Sequence, residues 1–226
     1  MRVTAISSMA TRAVLADLGR AFEKHFGIEL AVESVGGVDA ARRVAAGEAF
    51  DLVILASDAI DKLRVAGHVQ PERIDLVRSP VAVAVKTGAA RPDIGSEASL
   101  RSAVRAARTI GYSTGPSGTH LMKLFERWGV ADEVARRTVQ APPGVPVASL
   151  VANGEVELGF QQLAELMNVP GVEVVGLLPE GAAFITTFSA ALGKGTAHAA
   201  AARAALEFIN SPEGAEIKRR HGMEPA

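Results

Sequence analysis

The sequence has 226 residues with 24 basic and 25 acidic side chains, for a net charge of −1; 48% of its residues are hydrophobic and none is cysteine. This composition excludes a disordered chain, a disulfide framework and a thiolate-bound metal, and the few aromatic residues without a basic excess argue against a nucleic-acid partner. The length allows one large domain or two small ones.

The start of the chain lacks the pattern of an export signal. Polar Ser7 and Ser8 come too early for the apolar core of a signal peptide, and no uninterrupted apolar run is long enough to cross a bilayer. We therefore expect neither a leader nor insertion into a membrane.

Short apolar runs alternate with segments of helical period in the first part of the chain. The predicted elements are a strand at 2–6, a helix at 11–25, a strand at 29–34, a helix at 39–46, a strand at 52–56, a helix at 58–66 and a strand at 81–85. Gly27 is expected to end the first helix, and the continuous apolar run at 52–56 is typical of a strand buried on both faces.

The same alternation continues after a loop. The predicted elements are a helix at 100–107, a strand at 109–112, helices at 119–128 and 147–152, strands at 157–161, 172–177 and 184–192, and helices at 197–210 and 212–220. Ser211 is predicted to cap the last helix. The pattern indicates the α/β class with a largely parallel sheet, and a second α/β unit is expected to begin near Val81.

Four predicted strand-to-helix turns are rich in small hydroxyl residues and glycine. They contain Ser7 and Ser8; Gly36, Gly37 and Val38; Ser57 and Asp58; and the stretch from Ser113 to Thr119. Ligands of an open parallel sheet bind at the carboxyl ends of its strands, where backbone N–H groups and helix N-termini are exposed. The composition of these turns favours an oxyanion bound by neutral donors.

A purely structural interpretation of the same turns is also open. Serine or aspartate before a helix is commonly an N-cap, and glycine in a tight turn commonly serves a positive φ. The recurrence of the pattern in both halves of the chain favours a function, but the sequence leaves both interpretations standing.

Other motifs fail on closer inspection. The order of Gly193-Lys194-Gly195-Thr196 is wrong for a phosphate-binding loop, and Thr119 stands where a nucleophile elbow needs its last glycine. The five histidines show no zinc-binding spacing, so we expect no metal and no cofactor. His120 lies in a candidate loop, either as a solvent-facing residue or as a catalytic one.

Four segments, taken in order, carry a resemblance to a known family. They are Ile6-Ser7-Ser8 with the helix that ends at Gly27, residues 41–54, the loop 111–118, and the ending Phe208-Ile209-Asn210-Ser211-Pro212-Glu213-Gly214-Ala215-Glu216-Ile217. Together they resemble the molybdate-binding proteins among the periplasmic solute-binding proteins of ABC transporters.

The resemblance implies a type II periplasmic binding protein fold. In this α/β fold two Rossmann-like lobes are joined by two crossover strands and close on a ligand like a hinge. One lobe would hold residues 1–80 and 184–226, the other residues 81–183, and the ligand would lie in the cleft between the lobes.

The resemblance also implies a set of ligand-binding residues. By position, the family's anion contacts fall on Ser8, Gly37, Ser117, Val145 and Gln162. With their neighbours, the expected lining is Ser7, Ser8, Gly36, Gly37, Val38, Ser113, Ser117, Gly118, Thr119, Gly144, Val145, Gln161 and Gln162.

Two positions depart from the molybdate-binding pattern. Gly37 stands where that family places a second hydroxyl, and Gln161-Gln162 stands where it places a tyrosine hydroxyl. The glycine widens the pocket and a glutamine offers both a donor and an acceptor, so an organic anion fits these residues better than a tetrahedral metal oxyanion does.

Two functions remain after these steps. The first is a monomeric solute-binding protein for a small anion, which serves an ABC transporter permease if it is exported. The alternative follows from aconitate isomerases, an enzyme branch that resembles these binding proteins. Such an enzyme needs a base for an allylic proton shift, and the candidates are His120, Asp39 and Asp58.

The expected location separates the two functions. A transport protein would be periplasmic, which requires a leader that has been trimmed from the sequence. If Met1 is the native start, a cytoplasmic location favours an enzyme or an anion sensor.

Overall fold

A computed structural model describes residues 1–142 and 144–226 of the chain. The chain divides into two compact units: unit 1 comprises Met1–Ser79 and Thr187–Ala226, and unit 2 comprises Pro80–Thr186. Within the described residues no helix is long and apolar enough to span a membrane.

The architecture is α/β, as the sequence predicts. In chain order the elements are β1 (Arg2–Ser8), α1 (Arg12–Phe26), β2 (Glu29–Val35), α2 (Gly37–Ala45), β3 (Leu52–Ala56), α3 (Ser57–Val65), β4 (Ile74–Lys86), α4 (Glu97–Ala106), β5 (Ile110–Tyr112), α5 (Pro116–Arg127), α6 (Ala131–Val134), β6 (Thr138–Gln140), α7 (Val147–Asn153), β7 (Leu158–Gln162), α8 (Leu163–Leu166), β8 (Val172–Leu177), β9 (Ile185–Leu192), α9 (Ala199–Ile209), α10 (Pro212–Arg220) and β10 (Glu224–Pro225). The chain passes from unit 1 into unit 2 within β4 and returns within β9.

The sheet of unit 1 has the strand order β2-β1-β3-β9. β1 pairs in parallel with β2 and β3, whereas β9 is antiparallel to β3. All five residues of β3 are buried, which confirms the prediction of a strand covered on both faces. Helices α2 and α3 pack on this sheet through a core that includes Val44, Val53 and Ile60.

The ends of the unit 1 helices follow the expected local chemistry. α1 buries an apolar face that includes Leu18, and it ends at Gly27, whose φ of 65° is left-handed. At the start of α10 the Ser211 hydroxyl accepts a hydrogen bond from the Gly214 N–H, and Pro212 occupies the first helical position.

The sheet of unit 2 has the strand order β4-β7-β5-β6, and β8 also pairs with β4. β5 is parallel to β6 and β7, so these three strands end at the same edge. A core around Phe125 and Phe160 joins this sheet to α4 and α5. A second cluster, which includes Ala148 and Leu166, lies on the side of α7 and α8.

Several predicted boundaries were wrong, among them the starts of α4, which begins at Glu97 rather than at Leu100, and of β4 and α5. β4 begins at Ile74 rather than at Val81, because it continues through charged residues and Pro80 that the apolar pattern does not mark as strand. α5 begins at Pro116 rather than at Thr119, since proline is accepted in the first turn of a helix.

Candidate functional site

The first group of polar residues lies at the carboxyl ends of β1 and β2 in unit 1. Ser8 is level with Val35, and Ser7 is level with Ser34. We call Ser7, Ser8, Gly36 and Gly37 the unit 1 donor cluster. The parallel pairing of the two strands places their carboxyl ends, and the helices that follow them, at one edge of the sheet.

The two serines of the unit 1 donor cluster differ in their hydrogen bonds. The Ser7 and Ser34 hydroxyls are 2.7 Å apart and share a hydrogen bond, which fixes both side chains. Ser8 is only 7% exposed, and its hydroxyl is buried without a partner among the described residues. A buried, unsatisfied hydroxyl costs free energy, so Ser8 is a site where a ligand would be stabilised.

The start of α2 lies beside Ser8. A Cβ placed on Gly37 would be 3.6 Å from the Ser8 Cβ, and no side chain caps the first turn of α2. The N–H groups of that turn therefore remain without a side-chain acceptor, and they carry the positive end of the helix dipole. Val38, the next residue, is 68% exposed.

The third predicted turn of unit 1 is held by the protein itself. The Ser57 hydroxyl donates to the Thr187 carbonyl oxygen at 2.9 Å and lies 2.6 Å from the Ser189 hydroxyl. Asp58 is exposed and faces Lys62 on the same helix, with 3.6 Å between carboxylate oxygen and Nζ. This turn therefore offers a ligand fewer free groups than the Ser8 turn does.

The second group of polar residues lies at the carboxyl ends of β5 and β7 in unit 2. We call Ser113, Ser117, Gln161 and Gln162 the unit 2 donor cluster. The Ser113 and Ser117 hydroxyls are 3.0 Å apart, and the Ser113 hydroxyl also accepts the Gly115 N–H at 3.3 Å. These bonds fold the loop back onto the first turn of α5, so Ser117 is buried.

Glycine is required at one position in the first turn of α5. A Cβ on Gly118 would lie 1.8 Å from the Ser113 carbonyl oxygen, so no other residue fits without a shift of the backbone. Thr119 donates its hydroxyl to the Gly115 carbonyl oxygen at 3.4 Å, which makes it part of the helix start rather than a free donor.

The loop before α7, which contains the expected lining residues Gly144 and Val145, is only partly described. Pro143 lies outside the described residues, whereas Gly144 has a left-handed φ of 80° and the Val145 N–H donates to the Pro142 carbonyl oxygen at 2.9 Å. The Val145 amide is thus engaged in a turn. α7 begins two residues later, after Pro146, without a side-chain cap.

The two glutamines that end β7 are both buried but have different partners. The Gln161 amide accepts the Ala148 N–H through Oε1 at 3.2 Å and donates through Nε2 to a Glu165 oxygen at 2.8 Å. Gln162 donates through Nε2 to the Thr186 hydroxyl at 2.6 Å, and its Oε1 is buried without a partner among the described residues.

Glu165 is a site residue that the sequence reasoning missed. Burial raises the pKa of Glu165 to about 7, an effect that the hydrogen bond from Gln161 opposes. In the sequence, the one sign of this residue's role was its position three residues after Gln162. A lone glutamate in a short segment is usually exposed, so the position alone did not mark it as a site residue.

N-capping does not explain the serines of these turns. No side chain caps the starts of α1, α2, α3, α5 or α7, whereas Ser96 and Ser211 cap α4 and α10 through their hydroxyls. N-capping therefore does not account for the Ser8 and Ser117 hydroxyls; the Ser8 hydroxyl has no partner among the described residues, and the Ser117 hydroxyl shares a hydrogen bond with Ser113.

Comparisons with known proteins decide the family. The family model described as "Bacterial extracellular solute-binding protein" matches residues 3–224. The chain belongs to this family.

Named relatives of this solute-binding protein include an enzyme and binding proteins. An aconitate isomerase from Pseudomonas sp is 35% identical over 230 residues, which cover 99% of this chain and 87% of the relative. The periplasmic molybdate-binding protein of Azotobacter vinelandii has a TM-score of 0.82 at 20% identity, with 98% of each chain covered.

A third relative has a similar fold. The sulfate-binding protein SubI from Mycobacterium tuberculosis H37Rv has a TM-score of 0.78 at 16% identity, with 100% of this chain and 87% of that chain covered. These structural likenesses confirm the prediction of a type II periplasmic binding protein fold.

The three candidate bases of this solute-binding protein have different surroundings. Asp39 forms an ion pair with Arg42 one helical turn away, and Asp58 is exposed to solvent. The His120 ring stacks on Phe184 with centroids 4.2 Å apart, and its Nε2 lies 3.2 Å from the Ala182 carbonyl oxygen. Burial lowers the pKa of His120, against the raising effect of that hydrogen bond.

The geometry of His120 defines its tautomer. A carbonyl oxygen can only accept, so Nε2 carries the proton and Nδ1 is left as an acceptor. Among the described residues, no group of three or more histidine, aspartate or glutamate side chains is arranged to hold a metal ion.

Proposed function

We propose that this solute-binding protein captures a small anion through neutral donors. The observation that carries the proposal is the buried, unpartnered Ser8 hydroxyl beside the uncapped start of α2. An anion at this point would accept from the hydroxyl and from backbone N–H groups, and it would gain from the helix dipole.

The unit 2 donor cluster supports the same proposal. Ser113 and Ser117 supply hydroxyls at the start of α5, whose first turn contains no acidic residue that would repel an anion. The orphaned Gln162 oxygen adds an acceptor. An acceptor suits a ligand that carries a hydroxyl group, as a hydroxylated organic anion such as citrate does and a fully ionised oxyanion does not.

We favour an organic carboxylate over a tetrahedral oxyanion as the ligand. Gly37 removes one side-chain donor and leaves space beside Ser8, and the buried glutamine amide replaces a simple hydroxyl. A site built for one pattern of donors discriminates against another, because each buried donor left unpaired costs about 1–3 kcal/mol.

Transport is the role that the proposal assigns to this binding. The family of extracellular solute-binding proteins and the molybdate- and sulfate-binding relatives support it. The protein would act as a monomer that delivers its anion to the permease of an ABC transporter.

A thermal-shift screen tests the anion class. The ligands are molybdate, tungstate, sulfate, citrate, cis-aconitate and trans-aconitate, each titrated against the purified full chain. An anion at 100 times its Kd should stabilise the protein by about 2.7 kcal/mol. We expect the largest rise in Tm with an organic anion; a chain that none of the six stabilises would contradict the proposal.

A double variant tests the residues. Ser117→Ala with Gly37→Trp should abolish binding of the anion found in the screen, because it removes one hydroxyl and fills the space beside Ser8. The matched control is Ser102→Ala with Gly195→Trp, in which Ser102 is an exposed helical serine and Gly195 has open space around it. Equal affinity in the two double variants would exclude these residues from the site.

A pair of single variants tests whether both clusters hold one anion. Ser8→Ala changes unit 1 and Gln162→Leu changes unit 2. If both clusters bind the same anion, each variant alone should weaken the binding of that anion, because each removes one polar group that the ligand would contact. A variant that leaves the affinity unchanged would exclude its cluster from the site.

A second function, isomerisation of a small polycarboxylate, is favoured by one specific observation. Burial lowers the pKa of His120 and so favours the neutral ring, and the hydrogen bond from Nε2 to the Ala182 carbonyl oxygen leaves Nδ1 as the proton acceptor that a general base needs. The aconitate isomerase at 35% identity supports this alternative.

Nuclear magnetic resonance decides between the two functions. Conversion of cis-aconitate to trans-aconitate by the intact protein, lost in His120→Gln and kept in His68→Gln, would establish the isomerase. If an aconitate stabilises the protein but its spectrum does not change, the protein binds this ligand without isomerising it, and the binding-protein function is supported.

A further inference from the structure

The strongest unexplained group in the molecule is the Glu165 carboxyl of unit 2. The residue is half-buried, one of its carboxyl oxygens accepts a 2.8 Å hydrogen bond from Gln161 Nε2, the one such bond to Glu165 among the described residues, and desolvation raises the pKa of the carboxyl group. No ion pair to Glu165 occurs within the described residues. Buried carboxyl groups are normally paired with a cation, so an unpaired one needs a reason.

The elements packed around Glu165 carry little charge. α8 contacts β7, α7 and β8, and neither β7 nor α7 contains a titratable residue. On β8 the only charged residue is Glu173, which pairs with Arg91 at 3.1 Å. Its neighbours Val172 and Val174 pack with Leu166, so alternation along the strand directs Glu173 to the opposite face.

A short chain of hydrogen bonds connects Glu165 to the unit 2 donor cluster. Glu165 accepts from Gln161, and Gln161 in turn accepts from the Ala148 N–H in the first turn of α7. Gln161 precedes Gln162 directly, and the loop with Val145 precedes α7. The protonation of one carboxyl group therefore acts on a glutamine of the cluster and on the start of a helix that borders it.

We infer that Glu165 is a positioning residue of the unit 2 donor cluster and that an anion binds there only while Glu165 is protonated. The inference deepens the proposed function and rests on it. A neutral carboxylic acid holds Gln161 in place without adding a negative charge, whereas a carboxylate would place an uncompensated charge of the same sign as the ligand in a region of low dielectric.

The energetic sign follows from linkage. The pKa of Glu165 is raised to about 7, so the free protein changes from the acid to the carboxylate in the neutral range. If only the protonated form binds, the apparent Kd rises as pH rises through this value. Binding is then accompanied by proton uptake, and the number of protons taken up per bound anion increases with pH. The lowered pKa of His120 keeps that group neutral throughout this range.

The test is calorimetry with the intact protein. The probes are cis-aconitate and, in a parallel series, molybdate, at pH 7.0, 7.75 and 8.5 in buffers of different ionisation enthalpy. We expect the Kd of the bound probe to rise about 15-fold from pH 7.0 to 8.5, with proton uptake close to one at the upper end.

Three variants separate positioning from simple packing. Glu165→Gln is always neutral and keeps a carbonyl oxygen for Gln161, so binding should remain tight and become independent of pH. Glu165→Ala removes the partner of Gln161 and should weaken binding at every pH. Glu155→Gln, an exposed glutamate in the same unit, should keep the pH dependence of the parent protein.

The outcomes distinguish the inference from the proposed function. An anion that binds with the same Kd at pH 7.0 and 8.5, or a pH dependence that persists in Glu165→Gln, overturns the inference and leaves anion capture intact. Failure of every probe to bind between pH 5.5 and 8.5 overturns the proposed function, and the inference falls with it.

Discussion

Gly37 shows how a single missing side chain shapes ligand choice. Its φ is not in the left-handed region, and a Cβ there would make an ordinary 3.6 Å contact with the Ser8 Cβ. The backbone therefore does not require glycine at this position. The missing side chain instead leaves space for a ligand beside Ser8.

A serine at position 37 should change the preferred anion. Gly37→Ser adds a hydroxyl without strain, so molybdate or sulfate affinity should rise about fivefold, the effect of one additional hydrogen bond of about 1 kcal/mol. A larger organic anion should lose affinity because its space is reduced. Calorimetry on Gly37→Ser and on the control Gly195→Ser measures both changes; equal selectivity in the two variants would contradict this account.

Lys218 is a buried amine whose stability effect depends on pH. It is 1% exposed, its Nζ donates to Asn210 Oδ1 at 2.8 Å, and burial lowers its pKa to about 8. The folded state thus disfavours the charged form. The penalty is absent above the unfolded pKa of about 10.4, grows as pH falls towards 8, and is constant below that.

The variant Lys218→Met should reveal this penalty. We subtract the unfolding free energy of the parent protein from that of the variant at each pH. This difference should be about 2 kcal/mol larger at pH 7.5 than at pH 10. Urea unfolding at the two pH values gives the comparison. A difference that does not change with pH would show that the Lys218 amine is charged in the folded protein.

At the level of single residues, the sequence indicated some of the site and missed the rest. The serines and glycines of the turns were found because small hydroxyl residues after apolar runs form a local pattern. Glu165 was missed because its burial depends on α7, β7 and β8 together, which no local pattern contains. The engaged Val145 amide was equally invisible, since the family position says nothing of a backbone bond to Pro142.

Among the elements, the start of α5 depends on one glycine. Gly118 has no space for a Cβ, because the Ser113 carbonyl oxygen lies 1.8 Å from that position, whereas a Cβ on Gly115 would be 3.6 Å from the Ser113 hydroxyl oxygen. The two glycines are three residues apart in the same loop and helix start. They form a matched pair for substitution.

Alanine at these two positions should have unequal effects. Gly118→Ala should lower the unfolding free energy by about 1–3 kcal/mol, as overpacking does, and should displace Ser113 from Ser117. Gly115→Ala should change it by less than about 1 kcal/mol. Chemical denaturation measures both changes. Equal stability of the two variants would show that the helix start accommodates an added Cβ at position 118 without loss of stability.

Strands and helices with a strong apolar period were predicted well from the sequence. β3, β8 and α10 have the predicted bounds. The short elements β6, α6 and α8 were missed, because three or four residues contain too little of a period to be recognised. Their positions are set by the neighbouring strands and helices rather than by their own residues.

For the molecule as a whole, unit 2 is a continuous piece of chain with its own core. Pro80–Thr186 includes β4 from Pro80 onward, β5 to β8 and the cluster around Phe125 and Phe160. We expect residues 80–186 expressed alone to unfold cooperatively in urea and to show α/β circular dichroism. A non-cooperative transition would contradict this expectation and would mean that the core needs residues of unit 1.

Unit 1, by contrast, is made of the two ends of the chain. β3 pairs with β9, which follows it by more than a hundred residues, so the strand order β2-β1-β3-β9 cannot be completed early in synthesis. While the ribosome produces unit 2, the edge of β3 has no partner, and a strand edge without a partner promotes association between chains. The order of synthesis therefore gives the nascent chain an interval during which a chaperone that covers β3 would raise the yield of folded protein.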